Sequence, residues 1–212
     1  MDHEAVLDRV LDAALPNVPF DGWSAALLSR AASEAGVTSD ELLLACPRGA
    51  FDLIEHWVAR TDREMVRAAE AAPLAEMKVR EKIAFLVRAR LEPLMPHREA
   101  VRRALAFQAA SPYAPKGLTQ LYRTVDAMWY AAGDTATDWN YYSKRVLLAG
   151  VYSATLLFWL NDRSENAAAT WGFLDRRIAD VMRIEKAKGR LRGLAEGLPD
   201  PFALLRRASQ RG

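Results

Sequence analysis

The residues able to do chemistry are scattered along the chain. The three histidines, His3, His56 and His97, stand on separate segments, none at metal-ligand spacing from another. His56 sits beside Trp57 in a helical pattern and reads as structural. Glu34, Glu41 and Asp52 make no two-metal pattern. Asp134 and Asp138 could be an acid–base pair. Four residues apart at a helix start, they read instead as caps or as ion-pair partners of Lys144 or Arg145. Glu-x-x-His, G-x-S-x-G, Walker A and G-x-G-x-x-G patterns do not occur. The single cysteine, Cys46, can form neither an intrachain disulfide nor a thiolate zinc cluster, and reads as a small buried residue. The chain therefore reads as no enzyme, with no catalytic residues, no metal site and no cofactor.

What is present is apolar surplus. Trp129, Trp139, Trp159 and Trp171 concentrate in one third of the chain, with Tyr130, Tyr141, Tyr142, Tyr152, Phe158 and Phe173. One reading is core packing plus a dimer seam. The other is an elongated pocket, because bulky rings hold helices apart while Ala149, Gly150, Ser153 and Ala154 leave space. A slot of that kind, with no acid or base inside, suits an apolar ligand.

These aromatics hang on residues 126–160. Val146–Leu160 is an apolar run of about 15 residues, short of the roughly 18–20 that span a bilayer. It reads as a buried central helix. Gly133 suits the end of the preceding helix, and Thr137 or Asp138 suits the cap of this one.

The remaining elements are helical too. Residues 4–15 carry Val6, Val10, Leu11 and Ala14 at helical spacing, and Pro16 and Pro19 end the run. Ser24 caps a helix over 25–35, and Gly36 closes it. Thr38 or Ser39 opens a short helix, Asp40 to Ala45, and Pro47-Arg48-Gly49 breaks it. A long helix follows, with Phe51, Ile54, Trp57, Val58 and Met65 on one side. Residues 74–92 read as an amphipathic helix with a basic outer face of Lys78, Arg80, Lys82, Arg88 and Arg90. Helices over 97–109, 116–132 and about 138–160 come next, and Ser164 caps the one after. No strand pattern competes. The reading is all-α, a TetR-like helical bundle of about ten helices. It divides into a head over 1–70, a bundle over 71–187 and a tail over 188–212.

The head has the layout of a TetR-type helix-turn-helix. Yet residues 1–60 hold ten acids against four bases, a net of −6, and the third helix, Asp40-Glu41-Leu42-Leu43-Leu44-Ala45, has no base. A duplex would repel such a head, so it reads as vestigial, with no nucleic acid bound. Residues 183–212 hold eight bases against three acids, a net of +5. There Gly189, Gly193 and Gly197 weaken a helix whose leucines would gain structure against an apolar surface, with arginines beside anionic headgroups. The acidic amphipathic N-terminus resembles neither a signal nor a transit peptide, and the chain reads as cytoplasmic.

Three ordered stretches resemble a known family: Gly133–Arg145, Leu148–Thr155 and Thr170–Ile178 look like the Coq-nine family of ubiquinone biosynthesis accessory proteins, in a bacterial form. The resemblance is densest over about 115–185. It implies a TetR-like homodimer without activity of its own. It also implies an isoprenoid quinone or other lipid held between helices and presented to the demethoxyubiquinone hydroxylase on the inner face of the membrane. On that reading Trp129, Leu147, Val151, Tyr152, Leu156 and Trp159 lie along the pocket. Met128, Tyr141 and Tyr142 meet the hydroxylase. Arg190, Leu191, Arg192, Leu194 and Leu198 meet the bilayer. The alternative is a TetR-type regulator sensing a hydrophobic effector.

Overall fold

The computed structural model describes residues 2–110, 112–134 and 139–196, the side chains of 139–141 and 184–196 excepted. Among these, every regular element is helical. Helix α1 (His3–Ala14) starts where the Asp2 carboxylate accepts from the Glu4 and Ala5 amides. The Pro16–Pro19 stretch holds one extra turn, α2 (Val18–Asp21), because Pro at the start of a helix loses no bond the helix needs. Ser24 caps α3 (Ala25–Glu34) through the Leu27 amide. Thr38 and Glu41 form a capping box at α4 (Ser39–Ala45). Between them Gly36 takes φ +64°, the left-handed turn that glycine adopts without strain.

Helix α5 (Ala50–Glu70) links the head to the rest. The Asp8 carboxylate of α1 lies 2.8 Å from His56 Nε2, and Arg60 donates to Asp12 at 2.8 Å. These contacts give His56 its structural role. Cys46 is buried beside α5, and burial, reinforced by the Asp52 carboxylate, pushes its thiol up to about 12. A thiol held that far up is protonated and inert at neutral pH.

Beyond the head, α6 (Val79–Leu91) and α8 (Ala114–Ala131) pack against α5, and α7 (Arg98–Ala109) and α9 (Trp139–Asn161) pack against α8 and each other. A last helix, α10 (Ala168–Glu196), lies against α9 and α6. Its start is tied by Asp162, whose carboxylate accepts from the Ser164 amide, the Thr170 amide and the Thr170 hydroxyl at 2.8, 2.8 and 2.6 Å. The backbone of α10 runs unbroken across residue 188, where the sequence reading begins its tail.

Three expectations change. Helix α9 is not covered all round: Leu148, Tyr152 and Trp159 are buried, but Val146 and Leu157 are 71% and 59% exposed. One chain surrounds only part of an all-apolar helix. Secondly, Arg90 is not on an outer basic face. It sits at i+7 from Ile83, in register with Leu86 and Val87, and turns inward with them. Thirdly, Met128 is fully buried, one turn after Thr124 on the inner stripe of α8, and so is removed from any docking surface of this fold.

Candidate functional site

A cavity of about 630 Å³ opens between α5, α7, α8 and α9. That is the size of a small-molecule or lipid pocket. From α5 come Ile54, Trp57, Val58 and Thr61, the i, i+3, i+4, i+7 stripe of one helix face. Helix α7 repeats the spacing with Val101, Ala104, Leu105 and Gln108. Helix α8 repeats it again with Gly117, Gln120, Leu121 and Thr124. Helix α9 adds Tyr152, Ser153 and Leu156.

The room comes from small residues on α7 and α8. Ala104, Ala109, Ala114 and Gly117 line the cavity where larger side chains would fill it. A Cβ at Gly117 would rest in ordinary contact with Gln108, 3.7 Å from Oε1, so the glycine marks no forbidden conformation. The lining reaches the surface on α8, where Leu118 is 70% exposed.

The buried end is polar, contrary to the expectation of no charge inside. Arg90 is nearly inaccessible and donates through Nε to Asp62 Oδ1 at 2.7 Å. It also donates to the Tyr152 hydroxyl, and its guanidinium lies 5.2 Å from that ring's centroid. The Thr124 hydroxyl lies 2.9 and 3.1 Å from the two Asp62 oxygens. Burial pushes the Tyr152 phenol up from its ordinary value, Arg90 opposing and Asp62 reinforcing, so it is neutral at physiological pH. Burial works against the Arg90 charge too, but Tyr152 and the Asp62 carboxylate more than offset it and raise the pKa. Nearby, Gln108 Nε2 donates to Gln120 Oε1 at 2.7 Å, and Gln120 Nε2 has no partner among the described residues.

Of the six residues expected along a lipid slot, Tyr152 and Leu156 line this cavity. The other four lie elsewhere. Trp129 donates from Nε1 to the Lys144 carbonyl at 3.2 Å, under the Lys144 ammonium. Leu147 is half-buried, and Val151 is core, the 100° step per residue turning both away from the Tyr152–Leu156 face. Trp159 stands two turns beyond Tyr152, fully buried beneath the Arg98 guanidinium at 4.7 Å. Sequence reasoning missed the walls from α5, α7 and α8. The available signal was an Ala or Gly inside the α7 and α8 stripes, and an arginine in register with apolar neighbours.

Among the expected docking residues Tyr142 is 60% exposed, while the Tyr141 side chain lies outside the described residues. Asp134 does pair with Lys144, at 2.7 Å. Asp138, Leu198 and the side chains of Arg190, Leu191, Arg192 and Leu194 also lie outside them. Among the described residues no group of three or more His, Cys, Asp or Glu could hold a metal, and no helix is long and apolar enough to cross a membrane.

A sequence model of the COQ9 family matches residues 114–185, covering α8, α9 and the first part of α10. The chain is 34% identical over 202 residues to the mitochondrial ubiquinone biosynthesis protein COQ9 of Rattus norvegicus, covering 92% of this chain and 64% of that one. The chain belongs to the COQ9 family. The Homo sapiens COQ9 is 32% identical, with 92% and 63% covered, and the Drosophila melanogaster COQ9 is 30% identical, with 94% and 62% covered. The chain thus spans a little under two thirds of the length of these COQ9 proteins. Among solved structures, the TetR transcriptional regulator of Nitrosomonas europaea superposes with a TM-score of 0.70 at 26% identity, covering 82% of this chain and 97% of the regulator. The fold of this COQ9-family chain is all-α and TetR-like.

Proposed function

We propose that this chain is a lipid-binding accessory protein of ubiquinone biosynthesis. It holds an isoprenoid quinone intermediate and presents it to the demethoxyubiquinone hydroxylase at the membrane surface, without catalysing a step itself. The cavity walled by α5, α7, α8 and α9 carries the reading: it is mostly apolar, reaches the surface at Leu118 and is of lipid-pocket size. The names of the relatives support the pathway. The exposed Tyr142, with Tyr141 beside it in sequence, is the proposed contact with the hydroxylase. The uncovered strip of α9, with Val146 and Leu157, is the proposed homodimer seam, since a contiguous apolar strip of that kind is ordinarily covered. The basic tail with Arg190, Leu191, Arg192, Leu194 and Leu198 is the proposed membrane contact, peripheral and on the cytoplasmic face.

The likeness to a TetR regulator favours a second reading, a transcription factor sensing a hydrophobic effector. The head argues against it. Its third helix, α4, opens with Asp40 and Glu41 and exposes Leu43 and Leu44, a surface that phosphates repel.

A transfer assay tests the proposal. Vesicles loaded with a short-chain demethoxyubiquinone are incubated with the protein and removed by centrifugation. Quinone in the supernatant at near one per chain is the expected result. No transfer, together with a specific low-salt shift of DNA upstream of the protein's own coding sequence, would replace this reading with the regulator.

A further inference from the structure

We infer that the buried end of the cavity recognises a neutral, oxygen-bearing head on the bound lipid, with Tyr152, Gln120 and Arg90 as the specificity-determining residues. This rests on the lipid-binding reading above and specifies the ligand's polar end.

The balance of donors and acceptors sets the chemistry. The charged acceptor at this end, the Asp62 carboxylate, is engaged. Asp62 takes the Arg90 Nε proton and faces the Thr124 hydroxyl with both oxygens. Gln120 Oε1 takes a proton from Gln108. The Thr61 hydroxyl donates to the Trp57 carbonyl at 2.8 Å. Two buried donors have no partner among the described residues. Gln120 Nε2 has no acceptor. The Tyr152 hydroxyl receives from Arg90, and its own proton meets no acceptor among the described residues. Exchanging oxygen and nitrogen on both amides would make the free Gln120 atom an acceptor, but the Tyr152 proton stays without a partner either way. Tyr152, Arg90 and Gln120 are 3%, 6% and 6% exposed, so water cannot freely satisfy them.

A ligand that completes this end must bring acceptors, and carbonyl or ether oxygens do so. A carboxylate fits less well. The Arg90 charge is already balanced by Asp62, so a second buried anion would enter without a cation of its own. A pure hydrocarbon leaves the donors unpaired. The apolar walls towards Leu105, Leu118 and Leu121 then take the tail, which leaves past the exposed Leu118.

The test uses displacement of Nile red from the full-length protein by three probes of equal carbon count. They are an isoprenoid 1,4-benzoquinone, an isoprenoid hydrocarbon and a saturated fatty acid. In the unsubstituted protein the quinone should bind about tenfold more tightly than either rival, the effect of one or two buried hydrogen bonds. Tyr152→Phe and Gln120→Met should each weaken the quinone about fivefold and leave the hydrocarbon unchanged. Melting curves identify any variant that fails to fold, and the three-probe ranking in the unsubstituted protein then decides alone. Equal binding of quinone and hydrocarbon overturns the head-recognition proposal while leaving lipid binding standing. A fatty acid that binds most tightly overturns the neutral head in favour of an anionic one. Displacement by none of the three defeats the lipid-binding reading itself, and this proposal with it.

Discussion

Arg90 Nε lies 2.7 Å from Asp62 Oδ1, joining α6 to α5 at the buried end of the cavity. The Arg90 side chain is 7% exposed and that of Asp62 15%, and each charge is the other's compensation. The pair and the Thr124 and Tyr152 hydroxyls beside it hold three walls of the cavity in register.

Removing one member should therefore cost far more than removing both. Asp62→Leu strands a buried guanidinium and should lower stability by about 3–5 kcal/mol, whereas Asp62→Leu with Arg90→Met should recover most of that loss. Denaturant melts of the single and double variants measure it. Equal losses would mean that the two charges are not coupled.

Cavity volume can be removed without disturbing the fold. Gly117 is helical and an added Cβ meets only ordinary contacts, so Gly117→Leu fills the space between α7 and α8. Lipid occupancy after extraction should fall at least about tenfold, with stability changed by no more than about 1 kcal/mol. Unchanged occupancy would show that lipid binds elsewhere.

Acid stability should depend on Asp162. Burial alone would raise its pKa, but the hydrogen bonds from Thr170 and Ser164 hold it well below the ordinary 3.8. A carboxyl group depressed on folding contributes fully above its unfolded pKa and loses that contribution as pH falls towards the folded one. Asp162→Asn should thus be less stable than the parent at pH 7, and the gap should narrow below about pH 4. Melts across pH 2.5–7 read the difference, and a gap that stays constant would assign the residue no such part.

The tyrosine pair should act in docking more than in folding. Tyr142 is largely exposed, so Tyr141→Ala with Tyr142→Ala should weaken capture of the demethoxyubiquinone hydroxylase about tenfold and shift the melting temperature little. Loss of both together would make the pair part of the core.

Local chemistry was legible in the sequence where it is decided locally. Ser24 and Thr38 cap the helices assigned to them, Gly36 turns left-handed, and Asp134 pairs with Lys144. The helical layout followed from apolar periodicity. Which face of a helix meets a cavity is decided by its neighbours. Trp159 and Val151 were expected in the slot and are core, Trp159 beneath Arg98 of α7. Met128 was expected on a surface and is buried by the same logic. Arg90 carried a readable signal, its register with Ile83, Leu86 and Val87, but its meaning depends on Asp62, 28 positions earlier.

The most direct measurement is the lipid content of the protein as purified from cells making ubiquinone. Native mass spectrometry followed by solvent extraction gives both stoichiometry and chemistry. The account predicts an isoprenoid quinone or quinone precursor at near one per chain in the parent protein, and its loss in Gly117→Leu. A parent protein that carries no lipid, and takes up none when offered an isoprenoid quinone, would contradict it.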